Sequence, residues 1–149
     1  MSTPATAKKV LHVGKYFPPD VGGMETYLDG LVRALATLNV TPSVLVHQSQ
    51  ISLHSSEESL SANGRALRVV RAATWCRLLF TPISPTFPWL LNRLIKRDQP
   101  DILHLHLPNP SAFWALALPS ARRLTWVIHW QSDVLTVKSH WLLRLVYRF

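Results

Sequence analysis

Cysteine is nearly absent from this 149-residue sequence. Cys76 stands alone, so no disulfide closes within the chain and no thiolate cluster can build a structural zinc site. Acid is scarce as well, with 8 Asp and Glu against 16 Lys and Arg. Long apolar runs are missing: none approaches the ~18–20 residues that a membrane-spanning helix needs. The opening MSTPATAKK carries no apolar stretch to serve as a signal-peptide core, and residues 1–9 read as a flexible leader. Charged residues make up only 16% against 48% hydrophobic, which excludes a disordered chain. Five glycines without a tripeptide period exclude collagen. Together these absences predict one intracellular, cytoplasmic domain.

The excess of base gives a formal net charge of +8, and its distribution matters more than its sum. From Ser59 to Arg97 no acidic residue occurs, while Arg65, Arg68, Arg71, Arg77, Arg93, Lys96 and Arg97 all fall there. Such a stretch is either a solvated basic face or a surface for an anionic partner. The partner expected is an anionic membrane surface, placing the protein peripherally on the inner face of the plasma membrane, with Phe87, Trp89 and Leu90 dipping in beside the charges. Nucleic acid is not expected. The basic residues are not interleaved with exposed aromatics, and no helix-turn-helix, zinc-finger or RNP pattern is present.

Along the chain, Val10 to Val13 is a short strand, and the prolines and glycines of Lys15–Gly23 stop it. Met24, Tyr27, Leu28, Leu31, Leu35 and Leu38 then recur at helical spacing and predict a helix with that face buried. Val44–His47 is a second strand, residues 48–64 read as a Ser-rich mobile loop, and Ala66–Val70 is a short strand candidate. Three prolines make the middle of Cys76–Pro88 irregular, after which Trp89 to Arg97 resume helical spacing. Asp101–Leu107 is a near-continuous apolar strand suited to burial on both faces. Asn109-Pro110 is an N-cap with proline in the first turn, opening a helix to about Leu118 that Pro119 stops. Trp126–Trp130 is a further strand. Ser139–Phe149 begins a helix with no cap at its end, which predicts that residues 10–149 are an incomplete domain.

Strands alternating with helices predict an α/β fold, a Rossmann-like parallel sheet with helices on both faces. In such a sheet ligands gather outside the C-terminal strand ends, where residues 15–23, His47, His106–Asn109 and His129–Asp133 all fall. The Gly22-Gly23 pair before a helix offers free backbone amides to a phosphate or a polyhydroxyl ligand, yet a sharp turn needs glycine anyway. No G-x-G-x-x-G and no Walker lysine is present, so neither dinucleotide nor P-loop binding is expected. His104 and His106 alternate on one strand face and, with His129, invite a metal reading. No carboxylate or cysteine stands beside them at ligand spacing, so no metal and no cofactor is expected.

Three ordered motifs carry a family resemblance: Val13-Gly14-Lys15-Tyr16-Phe17-Pro18-Pro19 with Gly22-Gly23-Met24-Glu25-Thr26, then Pro100–Pro110, then Val127–Asp133. They resemble the first strand and glycine loop, the Pro-Asp-apolar-apolar-His strand, and the following strand and catalytic loop of glycosyltransferase family 4, retaining enzymes of the GT-B fold. The resemblance implies the N-terminal, acceptor-side half of such an enzyme, with the C-terminal donor-binding domain absent and little or no transfer by this chain alone. It implies a nucleotide-sugar donor, held through the missing domain, and a glycan or lipid-linked acceptor in polysaccharide biosynthesis. By the same resemblance Gln131, His129 and Asp133 are the catalytic candidates, and Gly22, Gly23, Lys15, His106 and Asn109 the substrate-binding ones. Relatives often read His-Trp-His-Ser-Asp where this sequence has His129-Trp130-Gln131-Ser132-Asp133. Glutamine donates and accepts hydrogen bonds but carries no proton at neutral pH, so its role is positional or the copy is weakened. A non-catalytic phosphate- or nucleotide-binding module is the competing reading.

Overall fold

A computed structural model of the chain describes residues 6–78 and 81–131. The helix expected over Ser139–Phe149, together with Ser132 and Asp133, lies outside the described residues.

The chain opens with β1 (Lys8–Val13), α1 (Gly23–Thr37) and β2 (Val40–His47), then β3 (Ser56–Ala62) and β4 (Arg65–Ala72). A small hairpin follows, β5 (Cys76–Leu78) and β6 (Thr81–Ile83), before α2 (Phe87–Asp98) and β7 (Ile102–Leu107). A 3-10 turn (Pro110–Phe113) and two single-turn helices, α3 (Trp114–Ala117) and α4 (Pro119–Arg122), lead to β8 (Thr125–Trp130). One sheet has the order β3-β4-β2-β1-β7-β8, parallel throughout except for β3. This is the Rossmann-like α/β architecture expected from the sequence.

The alternation of side chains across each strand sorts the core into two layers. Leu11, Val13, Leu45, Val70, Leu103, Leu105 and Leu107 face α2 and the short helices, meeting Phe87, Leu91, Leu94, Ala115 and Ala121. On the other face Val44, Val46, Leu67 and Val69 pack under Leu28, Val32 and Ala36 of α1. α2 forms because Phe87, Leu90, Leu91, Leu94 and Ile95 line one side at helical spacing. Pro88 sits in its first turn, where no amide is needed, and Lys96 and Arg97 sit in its last turn, where positive charge meets the carbonyl end.

Several expectations need correction. Residues 48–64 are not wholly loop, because Ser56–Ala62 pairs antiparallel with β4 through Asn63-Gly64, both at positive φ. That pair is a hairpin signal in its own right. The irregular stretch 76–88 contains the β5–β6 hairpin. The helical stretch after Asn109 does end at Ala117, just before Pro119, but it is a 3-10 turn running into the single-turn α3, and Pro119 itself starts α4. The buried stripe of α1 is Glu25, Leu28, Val32 and Ala36, leaving Tyr27 and Leu38 exposed. Phe87 and Leu90 pack inward and only Trp89 points outward, 59% exposed.

The acid-free segment is also not a free basic face. The antiparallel return of β3 brings Glu57 and Glu58 back across β4. Arg68 pairs with Glu57 and Asp98, Arg97 pairs with the same two acids, and Arg71 pairs with Glu58. Arg77 instead lies over Tyr16 and Arg93 over Trp89.

Candidate functional site

From β1 the chain steps outward to β2 and β4, then returns to the opposite flank of β1 for β7 and β8. The order therefore reverses between β1 and β7, and the crevice at the C-terminal ends of those strands is where a doubly wound sheet receives ligands. Asn109 spans it. Its Nδ2 donates to the Gly14 carbonyl at 2.8 Å and its Oδ1 accepts from the Ser111 amide at 3.2 Å. Asn109 is fully buried, so this substrate-binding candidate serves as a tie between the two loops, with both arms of its amide used inside the chain.

The face that α1 shares with β1, β7 and β8 carries imidazoles where the opposite face carries leucines. Register sets His12 beside His104 and His106 beside His129. β7 is thus buried on both faces toward its C-terminal end, as expected, with leucines on one face and imidazoles on the other. His12 Nδ1 lies 3.2 Å from His106 Nε2. The His104 and His106 rings stack at 4.3 Å between centroids. Burial, then the neighbouring His106 and His104, holds His12 well below the ordinary imidazole range. Burial, with His104 and His129 beside it, lowers His106 to about 3. These rings are neutral in the folded chain at physiological pH.

Gln131 follows β8 and continues its pairing, its amide donating to the Leu107 carbonyl at 2.8 Å. Its Nε2 sits 3.2 Å from His106 Nδ1 and 3.5 Å from His129 Nδ1. Its Oε1 is buried with no hydrogen-bond partner among the described residues. Tyr27, one turn into α1, meets the His129 ring edge-on at 4.5 Å. The structure therefore brings Gln131, His129 and His106 together beside the first turns of α1. Asp133, the third catalytic candidate, is outside the described residues.

Gly22 and Gly23 open α1. Gly22 is the N-cap in extended conformation, and its carbonyl accepts from the Thr26 amide at 2.9 Å. A Cβ at Gly22 would run into the Glu25 carboxylate, whereas one at Gly23 would meet none of the described residues within 4 Å. The fold gives Gly23 no steric reason to be glycine. Lys15 is half-buried over the Tyr16 ring at 5.4 Å. Burial lowers its pKa, with Glu25 drawing it back up and Arg77 pushing it further down. His47 lies on the far face, stacked on Phe87 at 4.5 Å, and does not join the cluster.

Sequence reasoning missed three contributors. His12 was hidden in a short apolar run, and only the β1–β7 register brings it to His104. Tyr27 fitted the expected buried stripe of α1. Arg71 looked like surface charge, but it is buried and donates to the Phe17 carbonyl at 3.1 Å, to the Pro18 carbonyl and to Glu58 at 2.9 Å. It thereby clamps the loop that leads to Gly22.

Among the described residues no helix is long and apolar enough to cross a membrane. No curated protein matches the chain at a significant level. The family model of Glycosyltransferase Family 4 matches residues 21–149, a span that starts just before Gly22 and runs through β7, β8 and Gln131. On that match, which covers most of its length, the chain belongs to glycosyltransferase family 4.

Proposed function

We propose that this chain is the acceptor-side half of a retaining glycosyltransferase. It moves a hexosyl group from a nucleotide-sugar to a glycan or lipid-linked acceptor in polysaccharide biosynthesis. The donor's nucleotide is held by a second α/β domain C-terminal to this sequence, and these 149 residues alone give little or no transfer. In the reaction the bond from the anomeric carbon to the diphosphate breaks and the acceptor hydroxyl forms the new one. The hydroxyl proton leaves with the nucleoside diphosphate.

The observation that carries this reading is Gln131 Oε1, buried at the switch-point crevice without a partner among the described residues while Nε2 is committed to two imidazoles. An acceptor atom held in that way suits a sugar hydroxyl, whose O–H it can orient. The first turn of α1, open at Gly23, leaves room for a sugar or phosphate oxygen against the backbone amides.

The acceptor is reached at an anionic membrane surface. Arg93 and Lys96 follow Trp89 on the outward side of α2, and neither has an acidic partner among the described residues. Ile83 and Trp114 are exposed and share a cavity of about 360 Å³ with Pro85, at the start of the same helix. Aromatic and basic side chains on one flank suit an interface of anionic headgroups.

The test is a transfer assay. The reading frame, extended through its second domain, is incubated with a panel of nucleotide-sugars and a membrane lipid fraction. Release of nucleoside diphosphate that depends on the lipid fraction, with the anomeric configuration of the sugar kept, is expected. A continuation without a second α/β domain, or no transfer with any donor, would favour the non-catalytic phosphate-binding module.

A further inference from the structure

We propose that His12, His104 and His106 form a site for one borderline divalent cation, with Zn²⁺ the best fit. Each residue offers a ring nitrogen, and these three nitrogens all lie within 4.8 Å of one another. The sequence alone set His104 and His106 beside His129 and found no ligand set. The register of β1 on β7 supplies His12 as the third. Two residues apart on a strand, His104 and His106 share a face, and the neighbouring strand adds one more ligand from the side.

The closest pair has almost the right spacing already. His12 Nδ1 and His106 Nε2 are 3.2 Å apart, against ~3.3 Å between two nitrogens of a tetrahedron with ~2.0 Å metal–nitrogen bonds. Among the described residues His104 Nε2 is buried without a hydrogen-bond partner, and an orphaned buried nitrogen calls for an ion or a water. Imidazole ligands favour Zn²⁺ and its transition-metal neighbours over Mg²⁺ and Ca²⁺, which prefer oxygen. Three histidines leave a fourth position for an oxygen ligand.

The second shell is present as well. For His106 Nε2 to bind a cation, its proton moves to Nδ1, and Gln131 turns its amide to accept that proton through Oε1. The turn gives Oε1 a donor and moves Nε2 into the position that Oε1 held. In that state Oε1 is no longer free for a sugar hydroxyl, so the two uses of the amide exclude each other. The site does not depend on the chain being a transferase.

Calorimetric titration of the tag-free, chelator-treated chain with Zn²⁺, beside a Mg²⁺ control, tests the proposal. One equivalent of Zn²⁺ and no Mg²⁺ is expected to bind. Zn²⁺ should shift the imidazole nitrogen resonances of His12, His104 and His106 and leave His54 unmoved. His104→Gln should lose saturable binding and Gln131→Ala should weaken it by about 10–100-fold, while His54→Gln changes nothing. Absence of binding to the native chain, or nitrogen shifts confined to other histidines, would overturn the assignment without recourse to any variant. So would Zn²⁺ affinity unchanged in folded His104→Gln.

Discussion

His106 holds Gln131. Its Nδ1 lies 3.2 Å from Gln131 Nε2, and its Nε2 lies 3.2 Å from His12 Nδ1, so three side chains from three strand ends run in one line of hydrogen bonds. If Gln131 Nε2 donates to His106, then His106 donates on to His12, and the chain has a single direction. The amide oxygen is then fixed in one orientation.

If this chain is joined to a donor-binding domain as proposed, Gln131→Ala in that protein should lower kcat by about tenfold, the worth of about one hydrogen bond to a sugar hydroxyl. KM for the nucleotide-sugar should change less than kcat. Steady-state kinetics on both variants measure it, and equal kcat values would remove Gln131 from the site.

Arg71→Met should destabilise the domain by about 2–3 kcal/mol. It leaves the Phe17 carbonyl without its donor, takes one from Pro18 and strips Glu58 of its partner. Urea unfolding gives the loss, and hydrogen exchange should rise first in residues 15–23. A loss below ~0.5 kcal/mol, the range of an ordinary surface substitution, would show that the clamp is not needed.

That residue also shows what the sequence could and could not tell. The alternating order of β1, α1, β2, α2, β7 and β8 was legible because apolar periodicity and the Gly22-Gly23 and Asn109-Pro110 boundaries are local signals. Gln131, His129 and His106 were legible as residues at strand ends. Arg71, His12 and Tyr27 were not, because each owes its place to pairing between distant segments. Arg71 becomes an inward clamp only once β3 returns Glu58 across β4. The Asn63-Gly64 hairpin that causes this return was present in the sequence, inside a stretch whose serines suggested a loop.

Acid should weaken the fold through His47. Burial, with Lys15 adding to it, lowers this imidazole from 6.5 to about 3, and both ring nitrogens are buried without partners among the described residues. As pH falls below 6.5 the unfolded chain takes up the proton first. The stability tied to neutral His47 is therefore complete above 6.5 and is lost progressively toward 3. His47→Leu should flatten that acid limb in thermal melts between those limits, with little cost at neutral pH. Parallel pH profiles for the two proteins would contradict the assignment.

Sedimentation with phosphatidylglycerol vesicles should pull the protein down at low salt and release it as screening rises. Arg93→Gln with Lys96→Gln should weaken binding by about 30-fold, at about 1 kcal/mol for each charge. Trp89→Ala should weaken it further. Arg97→Gln should matter far less, since Arg97 is already engaged by Glu57 and Asp98. Equal partition onto neutral and anionic vesicles would leave these charges as plain surface.

The most direct measurement is sugar transfer by the proposed two-domain protein with Gly23→Val. A Cβ at Gly23 meets none of the described residues within 4 Å, so the variant should keep the wild-type circular dichroism spectrum and thermal midpoint. If a sugar or phosphate oxygen does sit against the first turn of α1, the valine blocks it, and transfer should fall to background. Wild-type transfer by a folded Gly23→Val enzyme would place the reaction elsewhere and contradict the account.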